Sequence, residues 1–175
     1  MDQPPWTRDL RTRLDELLNQ HRWALHDCVN RLSEEEARAS LVPSRTTLLG
    51  LVKHVTYVEK FYFDHVITGR SLKELGVAST PARSFILTKN DTIASVQEAH
   101  RAAFEESRRN VEELDLDQVI TGRKVRSVWA IYVQMLRELA HHNGHADILR
   151  EQILAARARR RRGRLRVAGG CQAGV

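Results

Sequence analysis

The spacing of apolar residues is the feature that most constrains the fold of this chain. Over residues 127–156, apolar or small side chains recur three and four positions apart, and a histidine takes one of those positions. The members of this stripe are Val128, Ile131, Met135, Leu139, His142, Ala146, Leu149 and Ile153. Side chains at this spacing share one face of an α-helix, so the segment is predicted to form a long amphipathic helix.

Three further segments show the same period, and they are residues 6–32, 44–69 and 90–114. In the first, the stripe is Leu10, Leu14, Leu17, Leu18, Leu25, Cys28 and Leu32. A hydroxyl within residues 44–47 is predicted to cap the second helix, Gly69 to end it, and Asn90 or Asp91 to cap the third. Residues 69–89 lack the period and predict a long crossover connection, a length typical of functional loops such as lids.

Four long helices without convincing strands predict an all-α fold, a four-helix bundle with one long connection between helices 2 and 3. The length of 175 residues suggests one domain. Residues 1–156 are predicted to form that bundle, and residues 157–175 a basic, exposed and mobile tail.

The net charge of +6 is concentrated near the C-terminus. Residues 157–166 hold seven arginines and no acid, so the rest of the chain carries a formal charge of −1. A functional interpretation of this arginine run is that it contacts the phosphates of a nucleic acid. A solvated helix end explains it more simply, because the body shows no basic face, and nucleic acid is therefore not expected as a partner.

Other broad classes are also disfavoured. No stretch approaches the length of apolar sequence that spans a membrane, and the first ten residues lack the apolar region of a secretory signal. The two cysteines, Cys28 and Cys171, suggest no disulfide framework. A cytoplasmic location is the expectation.

Some polar residues fall on or beside predicted apolar faces. His142 lies on the helix 4 stripe, and Glu138 lies one turn before it. His54 shares a face of helix 2 with Leu51 and Val58. One carboxylate and two imidazoles from facing helices could hold a divalent metal and leave a coordination position open.

The spacing also permits other interpretations. A single histidine on an amphipathic helix is usually a packed residue, and His141 and His145 form a competing pair four residues apart. His141 is predicted to be exposed. His21 and His100 are interpreted as residues at the edge of the core.

Three stretches together resemble a known family. They are "LVPSRTTLLGLVKHVTYVEKFYF", "NDTIASVQEAHRAAFEESR" and "LRELAHHNGHADILREQI". They look like the DinB superfamily, and more closely like its actinobacterial mycothiol-dependent branch. That branch includes mycothiol S-transferases and is similar to the metal-binding domain of mycothiol-dependent maleylpyruvate isomerase. The resemblance covers roughly residues 6–154.

This resemblance implies an up-up-down-down bundle with a divalent metal on His54, Glu138 and His142, which selects them over His141 and His145. Zinc suits these ligands, as do nickel, iron and manganese. The implied activity is a metal-dependent S-transferase in which bound mycothiol, as a thiolate, attacks an electrophilic small molecule in detoxification or a stress response. The alternative is a metal-binding bundle without catalysis. Isomerase activity is not expected, because the isomerase has a second domain to which nothing in this sequence corresponds.

Further residues are candidates to surround the implied metal ligands. Asp147 and Glu59 are candidates to orient a ligating histidine through its second nitrogen. Asn143, His145 and Arg150 are predicted to border the thiol pocket. The resemblance is also compatible with a homodimer.

Overall fold

The computed structural model describes residues 5–121 and 125–169. Its long helices are α1 (Pro5–Asp27), α3 (Leu48–Lys60), α6 (Ile93–Val111) and α7 (Val128–Gly169). A π-helical turn at Phe61–His65 and the short α4 (Val66–Thr68) extend α3. The predicted all-α class is confirmed, whereas the up-up-down-down order stays a prediction.

Shorter elements fill the connections. They are α2 (Glu34–Ala37), α5 (Pro81–Ser84) and the antiparallel strands β1 (Val119–Ile120) and β2 (Arg126–Ser127). In the strands Val119 pairs with Ser127, and Ile120 pairs with Arg126. The expectation of no strands is wrong in this detail, because strands of two residues are too short to produce an alternating pattern.

The caps of the helices follow from local hydroxyl groups. Thr47 accepts a hydrogen bond from the Gly50 amide at the start of α3, as predicted, and Gly69 ends α4 with φ +78°. The cap of α6 is Thr92 and not Asn90 or Asp91. The Asp91 carboxylate instead accepts hydrogen bonds from Lys53 and from the Thr88 amide.

The core lies where α3 packs against α6 and α7, and α1 against α7 and α6. All eight residues of the predicted α7 stripe are buried. In α1, Leu14, Leu18 and Leu25 are buried, but Leu10 and Leu17 are 42% and 38% exposed. Their assignment to the stripe was wrong, because they are rotated by about 60–100° around the helix from Leu18 and Leu25.

Two predicted helix ends differ from the structure. The α1 helix ends at Asp27 rather than Leu32, since residues 28–31 form a turn in which Arg31 adopts a positive φ. The last helix, predicted to end near Ala156, continues to Gly169. Arg157, the first residue of the arginine run, pairs with Glu36 of α2, and arginine itself favours helix.

The arginine run therefore begins as a continuation of α7, whereas residues 170–175 of the predicted tail, with Cys171, lie outside the described residues. The division between a bundle domain and a tail stays a prediction. Within residues 5–121 and 125–169, the apolar stretches of the helices are too short to cross a membrane.

Candidate functional site

Two histidines from different helices meet in the interior. His54 lies on α3 and His142 on α7, and their ring centroids are 4.8 Å apart with an interplanar angle of 79°. Only 6% of His54 and 8% of His142 is exposed. The sequence placed both on apolar faces, and the packing of α3 against α7 brings these faces together.

Burial sets the charge state of both rings. Burial, together with a smaller contribution from the neighbouring His142, lowers the pKa of His54 to about 4. Burial likewise lowers the pKa of His142 to about 4, although the Glu138 carboxylate opposes this shift. Both imidazoles are therefore neutral at neutral pH, and a neutral imidazole is the form that binds a metal ion.

Glu138 lies one turn before His142 on α7 and is partly exposed. Its Oε2 is 3.8 Å from Nε2 of His142. Two donors on a tetrahedral zinc ion, each about 2 Å from the metal, lie roughly 3.3 Å apart. The spacing of this pair is therefore close to that of two ligands on one metal.

The third donor does not complete such a cluster in the observed arrangement. Among residues 5–121 and 125–169, no three His, Cys, Asp or Glu side chains converge closely enough to hold a metal ion. The other oxygen of Glu138, Oε1, accepts a hydrogen bond of 2.7 Å from Gln134. His54, Glu138 and His142 are donor types that bind divalent cations, and both imidazoles are neutral, but the three side chains do not converge on one point in this arrangement.

One buried atom at this site has unmet hydrogen-bonding capacity. Nδ1 of His142 is buried and has no hydrogen-bond partner among the described residues. Buried polar atoms usually have a partner, and one that does not requires an explanation. Nδ1 of His142 therefore retains hydrogen-bonding capacity that no group among the described residues satisfies.

The crossover connection supplies two further contacts to His54. Nδ1 of His54 lies 2.7 Å from Oγ of Ser84, at the end of α5. The ring of Phe85 stacks on the imidazole with centroids 3.9 Å apart and an angle of 13°. Neither residue was identified from the sequence, because the connection has no periodicity and only its fold brings it over α3.

A glycine permits this close approach. A Cβ atom on Gly50, one turn before His54, would lie 2.7 Å from the Phe85 carbonyl oxygen and 2.9 Å from Oγ1 of Thr47. Such distances are shorter than van der Waals contact, so a larger side chain would displace the connection. The absence of a side chain at Gly50 therefore permits the contact between Phe85 and His54.

The three predicted pocket residues differ in their surroundings. His145 is exposed, its ring centroid lies 5.7 Å from that of His142, and it lines a cavity of about 280 Å³ together with Ser44 and Thr46. Asn143 and Arg150 instead bond the backbone of the first helix and the turn after it. Asn143 donates to the carbonyl of His21, and Arg150 donates to those of Cys28 and Asn30.

The remaining candidates take other places. His141 is exposed, as predicted, and its ring lies 4.4 Å from that of His145. Glu59, a candidate to orient a ligand, pairs with Arg22 in the core instead. Asp147 is exposed.

The two histidines interpreted as lying at the edge of the core, His21 and His100, differ from each other in burial. His21 is half-buried, whereas His100 is completely buried and stacks on His26 with centroids 6.0 Å apart. His100 therefore belongs to the core and not to its edge.

A larger cavity, of about 540 Å³, lies between the crossover connection, α3 and α6. Lys53, Tyr57, Arg83, Ser84 and Val96 are among its lining residues. It borders the hydroxyl that contacts His54 and not the two imidazoles themselves. The larger cavity therefore borders Ser84, and the smaller one borders His145.

Comparison with known protein families identifies a family that matches this chain. The model of the mycothiol-S-transferase family matches residues 13–155, a span that includes His54, Ser84, Glu138 and His142. No curated protein matches the chain. Since the match covers most of the sequence and the whole of the site described above, the chain belongs to the mycothiol-S-transferase family.

Proposed function

We propose that this protein is a metal-dependent mycothiol S-transferase whose metal ligands are His54, Glu138 and His142. The observation that carries the proposal is the contact between two buried, neutral imidazoles on facing helices of a chain that belongs to this family. Zinc suits such ligands, and nickel, iron and manganese also bind imidazole and carboxylate. Detoxification or a stress response in the cytoplasm is the proposed setting.

The ligating residues would prepare the site before any substrate arrives. Because the pKa values of both histidines lie near 4, neither ring has to lose a proton at neutral pH in order to bind a cation. The carboxylate of Glu138 adds one negative charge to the two neutral donors. A divalent cation bound there lowers the pKa of a coordinating thiol, so that a thiolate nucleophile is available at neutral pH.

The overall reaction is a transfer of sulfur. The thiol of mycothiol loses its proton to solvent, the thiolate sulfur forms a bond to an electrophilic carbon of the second substrate, and the bond between that carbon and its leaving group breaks, so that the leaving group departs with the electron pair. Phe85 covers one face of His54 and keeps water from it. The cavity beside His145, at about 280 Å³, offers space next to the proposed ligands for part of a small molecule.

Metal binding to matched variants tests the ligand set. We expect the wild-type protein to bind one divalent ion per chain, and His54→Ala, Glu138→Ala and His142→Ala to bind it far more weakly. His141→Ala is the control, because His141 is adjacent to His142 but exposed. Equal affinity of all four variants and the wild type would contradict the proposed site.

The thiol requirement separates this function from its alternative. A bundle that binds metal without catalysis would retain the ion but conjugate no electrophile in the presence of mycothiol. We expect turnover that depends on both the metal and mycothiol. Metal binding without such turnover across varied electrophiles would favour the alternative.

A further inference from the structure

The hydrogen bonds around Ser84 constrain the state of the His54 ring. Oγ of Ser84 lies 2.7 Å from Nδ1 of His54 and 2.6 Å from the carbonyl oxygen of Pro81. His54 and Ser84 are buried, with 6% and 3% of each exposed, whereas Pro81 is exposed. Both distances are short enough for full hydrogen bonds, so the direction of each one can be assigned by counting hydrogens.

A serine hydroxyl has one hydrogen to donate, and a carbonyl oxygen can only accept. The hydrogen of Ser84 is therefore used in the bond to Pro81. It follows that Oγ accepts the second bond, and that Nδ1 of His54 carries a hydrogen and donates it.

In a neutral imidazole, a hydrogen on Nδ1 leaves the lone pair on Nε2. We infer that Ser84 is a positioning residue, which holds His54 in the Nδ1–H tautomer and so keeps Nε2 free to bind a metal ion. The ligand role of His54 rests on the proposed function, whereas the tautomer rests only on the hydrogen bonds of this chain.

The same segment also fixes the orientation of the ring. Phe85, which follows Ser84, stacks nearly parallel on the imidazole at 3.9 Å. The hydroxyl thus restricts rotation within the plane of the ring, and the phenyl group restricts tilting out of it. Histidines that bind metals usually donate their second N–H to a fixed acceptor, which orients the ring and strengthens it as a donor.

The variants Ser84→Ala and Ser84→Thr test this role. Alanine removes the acceptor, whereas threonine retains it. The cavity of about 540 Å³ that Ser84 borders offers space for the additional methyl group of threonine. Thermal unfolding of each variant verifies that it remains folded.

Two measurements are made on each protein. NMR chemical shifts of the His54 ring nitrogens, recorded without metal at neutral pH, report the tautomer. Competition with a chelator reports the affinity for cobalt(II). We expect the Nδ1–H tautomer in the wild type and in Ser84→Thr, and a mixture of tautomers in Ser84→Ala with cobalt affinity lower by about 10–100-fold.

Each of the other possible outcomes would contradict a specific part of the proposal. A wild-type ring with its hydrogen on Nε2 would overturn the assignment of the tautomer. Unchanged nitrogen shifts in Ser84→Ala would overturn the role of Ser84 in setting that tautomer. Changed shifts with unchanged cobalt affinity would overturn the positioning role. If the wild type binds no cobalt, the proposed metal site is wrong and Ser84 serves no ligand, while the nitrogen shifts still show whether Ser84 sets the tautomer.

Discussion

The rings of His54 and His142 meet edge to face, with centroids 4.8 Å apart, at the contact between α3 and α7. Protonation of either ring would place a positive charge in a buried space, with the second ring beside it. Burial accordingly lowers the pKa of each to about 4. Folding therefore keeps these histidines neutral under conditions in which exposed histidines begin to accept protons.

This neutrality predicts how stability depends on pH. His54 and His142 take up protons near pH 6.5 in the unfolded chain, where they have the ordinary pKa of histidine, but only near pH 4 in the folded chain. The contribution to folding is therefore fully present above about pH 6.5 and is lost as the pH falls. We expect a slope approaching about 1.4 kcal/mol per pH unit for each such histidine well below pH 6.5. Urea unfolding between about pH 7 and 5 measures it, and a constant free energy of unfolding would contradict it.

A third buried histidine should contribute to the same slope. His100 is completely buried, burial lowers its pKa to about 3, and neither ring nitrogen has a hydrogen-bond partner among the described residues. In His100→Leu we expect a smaller pH slope and, at neutral pH, unchanged or higher stability, because two unsatisfied polar atoms are removed. A loss of more than about 2 kcal/mol in urea unfolding would show that the nitrogens are satisfied in solution.

Gly50→Ala should disturb the site through the crossover connection. The new Cβ would lie 2.7 Å from the carbonyl oxygen of Phe85, so the connection must shift and the contacts of Ser84 and Phe85 with His54 must weaken. We expect lower thermal stability and about 10-fold weaker cobalt binding, since the ring loses its fixed hydrogen-bond partner. Chelator competition measures this affinity.

Gly144→Ala is the matched control for that variant. Gly144 also lies inside a long helix, two residues after His142, but a Cβ there meets no atom within 4 Å. Alanine favours helix over glycine by about 1 kcal/mol, so the control should be more stable and should bind cobalt normally. Equal behaviour of the two variants would contradict the account of Gly50.

The buried ion pair predicts a non-additive effect on stability. Arg22 of α1 and Glu59 of α3 pair with side chains that are 3% and 0% exposed. In Glu59→Gln the guanidinium loses its counter-charge inside the core, and we expect a loss of about 3–5 kcal/mol in urea unfolding. Replacing both residues with methionine should cost much less, because no charge is left buried alone. A double variant as unstable as the single one would contradict this.

Glu59→Gln also distinguishes a structural role from a role at the site. Glu59 contacts Arg22 rather than a proposed ligand. The folded variant should therefore bind cobalt with wild-type affinity. A marked loss of affinity would instead support the interpretation of Glu59 as an orienting residue.

The parts of the fold that follow from local periodicity could be predicted. The α7 stripe is correct at every position because one face of a straight helix repeats regularly, and His142 is buried for the same reason. Thr47 and Gly69 mark the ends of the second long helix through local backbone chemistry. By contrast, the end of α7 was predicted too early, because a run of arginines is compatible with both a helix and a solvated tail.

The contacts that depend on tertiary packing could not be predicted. Ser84 and Phe85 lie about thirty positions from His54 in the chain, in a connection without a pattern. Asn143 and Arg150 lie near His142 in sequence, but their side chains bond α1 and the turn after it. Sequence spacing assigns residues to a helix face, whereas the neighbouring element decides what each polar side chain bonds.

We propose that His142 belongs to a metal site at which mycothiol is transferred to electrophiles. The most direct test of this proposal is the rate of mycothiol-dependent conjugation by metal-loaded wild type, His142→Ala and His141→Ala. We expect His141→Ala to retain the wild-type rate and His142→Ala to lose more than about 100-fold, the upper end of the cost of losing an outer partner of a metal ligand. Equal rates for wild type and His142→Ala, or no dependence on mycothiol, would contradict the account.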